Sequence, residues 1–162
     1  MTEPIWQDIE IELERLERER GFTERLHREM PAEPPQDAFL AWRDKKALSD
    51  AVESLYTGME RIMLLLAEHC DGQAPAGQDW HRRLIDRLAH PARDGARPAL
   101  LSPATRAMLD DLRAFRHRTR MGYGAELDWH RTRENGERAV QLLERFRGDL
   151  FAFGRELQLY DP

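Results

Sequence analysis

At 162 residues the chain is long enough to bury a core, and 41% hydrophobic content with both charge signs mixed throughout excludes a disordered chain and fits helices with narrow apolar stripes. A net charge of −5 excludes a generally basic nucleic-acid-binding surface, so any RNA site must be a local basic patch. Cys70 is the only cysteine, which excludes a disulfide framework and a thiolate zinc site.

The first predicted helix starts near Thr2 or Glu3, with Pro4 in its first turn. Ile5, Ile9, Leu13 and Leu16 repeat at helical spacing between Glu and Arg. Phe22, Leu26 and Met30 continue the pattern past Gly21, and Pro31 to Pro35 ends it. A long second helix is expected from about Asp37 to His69, with Leu48, Val52, Leu55, Met59, Ile62, Met63 and Leu66 as a broad stripe. Its later half reads as the central core helix. Gly58 lies inside it at a cost of ~1 kcal/mol relative to alanine, which close packing of another backbone would explain. The longest apolar run, Ile62 to Ala67, is too short to cross a membrane. The acidic N-terminus does not resemble a secretory signal. A cytoplasmic location is the expectation.

Asp71 to Gly77 is a turn-rich break. Asp79 is placed to cap a short third helix through Ala89, with Trp80, Leu84, Ile85 and Leu88 inward. His90 to Pro98 reads as a loop. Ser102-Pro103 is a clear helix start, with Ser as N-cap and Pro at the first position. The fourth helix is expected to run to about Gly124. Asp128 is placed to cap a fifth helix through about Leu157, with Val140, Leu143, Phe146, Leu150 and Phe153 inward. With no strand signals and no internal repeat, the expected architecture is all-α. Residues 1–162 read as a single domain, an antiparallel up-and-down bundle of four main helices plus a short one.

The fourth helix carries the densest chemistry. At ~100° per residue, Arg113, Arg116, His117, Arg120 and Tyr123 fall on one side, with Leu112, Phe115 and Thr119 on the adjoining, core-facing side. The polar group thus flanks the core, where a cleft between helices or subunits would form. One bundle alone would leave its four cationic groups crowded and unpaired. That motivates an expected homodimer with this face at the two-fold interface, and Asp111 or Glu126 would offset the charge. The chain holds only two lysines, Lys45 and Lys46, so isolated arginines carry little weight.

Three segments together resemble the HepT-like branch of the HEPN proteins, small helical ribonuclease toxins. They are Leu55 to Arg61 with its Tyr-x-Gly-x-Glu pattern, Asp79-Trp80-His81 with the leucines that follow, and Phe115 to Tyr123 followed by Glu126-Leu127-Asp128. The resemblance runs from the second helix onward. It implies a homodimer, metal-independent RNA cleavage, and a nucleotidyltransferase antitoxin that adds AMP from ATP to a tyrosine. Carried over by position, Arg116 is the motif arginine, Tyr123 the modified tyrosine, and Met121 stands where the family motif has histidine. The branch also uses Arg-His-x-x-Arg-(Asn or His)-x-Tyr, which Arg116, His117, Arg120 and Tyr123 satisfy apart from Met121. Either His117 takes over as proton carrier, or the activity is weak or lost.

Metal-free RNA cleavage needs a base at the 2′-hydroxyl, an acid at the leaving oxygen and cations around phosphorus. Imidazole can act as base or acid, and guanidinium forks bind phosphate oxygens. His117, Arg116 and Arg120 are therefore the candidate catalytic residues, with Arg113 and Arg118 as candidate RNA contacts. In a dimer, one His117 could act as base and its mate as acid. The bland alternative is a solvated arginine-rich face. Tyr123 is either an acceptor of AMP or a packed ring, and a phosphodiester on it would mimic an RNA phosphate among Arg113, Arg116 and Arg120. His81 and Trp80 read more readily as cap and core than as groove residues. Tyr56, Gly58 and Glu60 read as helix packing, with Glu60 placed to pair an arginine of the fourth helix. His27, His69, His90 and His130 lack ligand spacing, so no metal site or cofactor is assigned. Met121 keeps a second function open, a catalytically inactive interaction module that binds the nucleotidyltransferase or RNA. A helical adaptor without a nucleic-acid role is a third.

Overall fold

The computed structural model covers residues 1–162 and is all-helical. α1 spans Pro4–Glu29, α2 Ala38–Asp71, α3 Trp80–Leu88, α4 Pro103–Met121 and α5 Trp129–Glu156, with a single 3-10 turn over Gly124–Glu126. Two starts expected from capping chemistry hold in detail: Ser102 accepts from the Thr105 N–H and Asp128 from the Arg131 N–H. Asp37, where the second helix is expected to begin, caps α2 as well and accepts from the Phe39 N–H. Asp79 precedes α3, but its carboxylate makes no cap bond and instead accepts from Arg82. α4 stops at Met121, three residues short of the expected Gly124, because Gly122 and Tyr123 turn into extended backbone.

Side-chain contacts give the helix directions. Leu16 meets Gly58 and Glu12 meets Arg61, so α1 and α2 are antiparallel. Glu53 and Glu60 meet Arg120 and Arg116, so α2 and α4 are antiparallel. Asp149 accepts from the Ser102 N–H at the far end of α5, and α5 lies against α1 with Trp6 on Gly154. One core of 27 residues runs through all five helices, with Trp6, Tyr56, Met59, Ile62, Leu84, Leu109 and Phe146 all fully buried. The expected stripe of α2 is buried along its whole length. Val140 is only half-buried at the margin of that core. Phe22, on the expected stripe of α1, is exposed because α1 has passed the main core there. The close neighbour of Gly58 is a side chain and not a backbone. A Cβ there would stand 2.4 Å from Leu16 Cδ2.

Two anchors fix the segments that frame the site. Arg97, buried in the α3–α4 loop, donates to both oxygens of Asp71 at the end of α2 (2.6 and 3.0 Å) and to the backbone carbonyls of His90 and Pro98. Lys45 of α2 donates to the carbonyls of Ala125 and Leu127, holding the turn after α4. No helix is long and apolar enough to cross a membrane.

Candidate active-site cleft

On α2, Glu53, Tyr56 and Glu60 share one face because they are three and four residues apart. α4 crosses that face with Arg113, Arg116 and Arg120. Arg116 is the centre of the contact, with its side chain only 11% exposed. Its Nε lies 3.4 Å from Glu53 Oε1, its Nη1 3.8 Å from Glu60 Oε1, and its guanidinium carbon 5.3 Å from the centre of the Tyr56 ring. The cation is thus held by two carboxylates and an aromatic face. Arg120 Nε lies 3.3 Å from the same Glu53 oxygen, and Arg113 Nε 3.8 Å from Asp110. Three of the cationic groups expected to stand unpaired are therefore paired within one chain, and the acids are Glu53, Glu60 and Asp110 in place of Asp111 or Glu126. Charge neutralisation gives no reason for a dimer.

Glu60 is 4% exposed and has a second partner. His81, at the start of α3, approaches Glu60 Oε2 through Nδ1 at 2.5 Å. A carboxylate can only accept, so Nδ1 carries the proton and donates, and Nε2 keeps its lone pair in the neutral ring. Trp80 stacks on the imidazole with centroids 3.6 Å apart, which fixes the ring plane. Burial, and secondarily the charge of Glu60, push the Tyr56 hydroxyl above its ordinary range, so it stays protonated and contributes its ring.

Between α3 and α4 these residues open a cleft of about 530 Å³ lined by Gln78, Asp79, His81, Arg82, Arg113, Arg116, His117 and Arg120. No lining residue is hydrophobic, and four arginines face one aspartate in a chain of net charge −5. Such a concentration of guanidinium groups suits a phosphate diester and not an apolar metabolite. No cluster of three or more His, Cys, Asp or Glu side chains is arranged to hold a metal ion. Burial pushes the Cys70 thiol up, which leaves it protonated and unreactive near neutral pH.

Of the residues singled out in the sequence, Arg113, Arg116, His117 and Arg120 line this cleft together. Arg118 and Tyr123 do not. They line a neighbouring groove with Phe115, Thr119, Glu126 and Arg131. Tyr123 follows the end of α4 in extended backbone, so it does not share the side of α4 that bears Arg113, Arg116, His117 and Arg120, contrary to expectation. Met121 is 80% exposed and lies outside the cleft. His81 and Arg82 enter the cleft from α3, where the sequence reading favoured cap and core for His81. Glu53 went unread, although its seven-residue spacing to Glu60 on the face of Tyr56 was a usable signal.

The fold and the cleft define a class, an all-helical bundle with an arginine- and histidine-lined cleft between its third and fourth helices. A family model described as HepT-like protein matches residues 47–157, which is most of the chain, and the chain belongs to the HepT-like family. The match takes in α3, α4 and the part of α2 that bears Glu53, Tyr56 and Glu60. Membership supports a toxin-like role of the HEPN kind. No curated protein and no solved structure matches the chain.

Proposed function

We propose that the protein is the toxin of a HEPN–nucleotidyltransferase toxin–antitoxin pair and cleaves RNA without a metal ion. The observation that carries this reading is the cleft that combines Arg113, Arg116, Arg120 and His117 and holds no apolar lining residue. Arg116 and Arg120 bind the phosphate that is attacked and offset the charge gained in the transition state. His117 moves a proton, which the solvent-facing position of its side chain allows. Arg113 binds the RNA backbone from within the cleft, and Arg118 extends the contact into the next groove. Expression of the chain alone in a bacterial host is expected to stop growth, and His117→Ala, with unchanged helical circular dichroism, is expected to restore it. Equal arrest by the two forms would remove His117 from the mechanism.

Methionine at position 121, where the family motif has histidine, favours the second reading, an inactive module that binds its partner or RNA without cutting. His117 inside the cleft weighs against it.

Control by AMP addition is part of the proposal. Tyr123 is 79% exposed and sits beside Gly122 and Gly124, so another protein can reach its hydroxyl. The added phosphodiester would meet Arg118 and Arg131 in the groove at the end of α4, next to the cleft. Inhibition would then come from bulk and charge at the cleft's edge more than from mimicry inside it. Trp42 packs against Gly124 and Phe39 against Trp42, both with substantial exposure, and together they give a partner an apolar surface beside the segment that carries Tyr123. The antitoxin is the proposed occupant of this surface, and the proposed homodimer forms through another face of the bundle. Intact mass after co-expression with a nucleotidyltransferase encoded beside it is expected to show added AMP, absent in Tyr123→Phe. Full neutralisation with an unmodified mass would mean control by binding alone.

A further inference from the structure

We propose that His81, oriented by Glu60, is the second proton-transfer group of the cleft, so that one chain holds both the base and the acid of the reaction. The inference rests on the ribonuclease reading and assigns a residue which that reading leaves unused. Its basis is the 2.5 Å contact between His81 Nδ1 and a carboxylate that is 4% exposed, together with the presence of His81 and His117 in one cleft on two different helices. A buried carboxylate on Nδ1 fixes the tautomer, leaves the Nε2 lone pair for a substrate proton, and stabilises the imidazolium that forms. Glu60 is thus a positioning residue, and it links the base to Arg116, whose guanidinium lies on its other oxygen. The stacked Trp80 ring keeps the imidazole from turning away.

The step balances with these groups alone. His81 Nε2 takes the proton of an RNA 2′-hydroxyl, and the 2′-oxygen forms a bond to phosphorus. The phosphorus–5′-oxygen bond breaks, and protonated His117 delivers a proton to the departing 5′-oxygen. The products are a 2′,3′-cyclic phosphate and a 5′-hydroxyl. His81 then releases its proton to water and His117 regains one. Met121 is not needed in this scheme, because the missing motif histidine has a substitute on α3.

The test separates a proton carrier from a mere partner of Glu60. In His81→Asn the amide N–H takes the place of Nδ1–H against Glu60, and the lone pair at Nε2 is lost. Cleavage of a short RNA is expected to slow about 100-fold or more, with helical circular dichroism retained. His81→Gln is the second variant and is expected to be equally slow. A matching RNA with sulfur in place of the leaving 5′-oxygen needs no proton on departure. It is expected to restore His117→Ala and to leave His81→Asn slow. Cleavage by both His81 variants at the wild-type rate, with His117→Ala inactive, would overturn the assignment and leave the ribonuclease reading intact. Restoration of His81→Asn but not His117→Ala by the sulfur substrate would overturn the assignment of base and acid. No cleavage by the wild type would overturn the ribonuclease reading itself, and this inference with it.

Discussion

Arg116→Ala is expected to lower RNA cleavage by about 10²–10³-fold, the range found when one charge-stabilising donor is removed from a site where negative charge develops. The loss has two parts. The guanidinium no longer meets the phosphate, and Glu60 loses its only cation on α4, while Glu53 keeps Arg120. Glu60 is nearly buried and would keep only His81 as a partner, so stability should also fall by about 1–3 kcal/mol. The fold should survive, because Arg116 borders the cleft and its removal opens no cavity among the 27 core residues. Arg116→Lys should recover part of the stability and little of the rate, since an ammonium cannot span two acceptors as a fork does. Initial rates with RNA in chelator, paired with urea unfolding, check both parts. A fully active Arg116→Ala protein would show that the phosphate binds elsewhere.

Asp71→Ala is expected to be the most destabilising single change outside the apolar core, by about 3–5 kcal/mol. The side chain of Arg97 is 3% exposed and meets Asp71 through two hydrogen bonds. Without Asp71 the guanidinium would be a buried charge with only carbonyl partners, those of His90, Pro98 and, more distantly, Arg87. A typical domain has ~5–15 kcal/mol in total, so the variant should unfold at far lower urea. The consequence reaches the site. The loop that Arg97 ties down connects α3 to α4, and these helices supply six of the eight cleft-lining residues, with Gln78 and Asp79 leading into α3. An unfolding shift below about 1 kcal/mol would mean that the carbonyls alone satisfy Arg97.

Helix starts and core stripes were legible because their signals are local. Ser102-Pro103 and Asp128 give caps within three residues, and Leu48 through Leu66 repeat at helical spacing. The end of α4 was harder to read. Gly122 permits a turn without requiring one, and what holds the chain in its new direction is Lys45, some 80 residues earlier in sequence. The same limit governs the site. Spacing within α4 placed Arg113, Arg116, His117 and Arg120 on one side, and all four do line one cleft. Spacing could not reveal that Glu53 lies against Arg116 and Arg120, since those carboxylate contacts cross from α2. The pairing of Glu60 with an arginine of α4 was legible only as a possibility of helix packing. By sequence alone, His81 reads as structural, because a histidine after Asp-Trp at a helix start has an ordinary role. Its contact with Glu60, 21 residues away, depends on how the Asp71–Gly77 break folds α3 back along α2. Tyr123 departs from its expected face for a related reason: α4 ends at Met121, and the chain turns into extended backbone before Tyr123.

If the cleft between α3 and α4 cuts RNA with its own side chains, incubation of the purified protein with a defined RNA in excess chelator should release fragments ending in a 2′,3′-cyclic phosphate and a 5′-hydroxyl, formed by the wild type and absent with His117→Ala. Intact RNA after incubation with the folded wild-type protein, or the same fragments from wild type and His117→Ala, would contradict it.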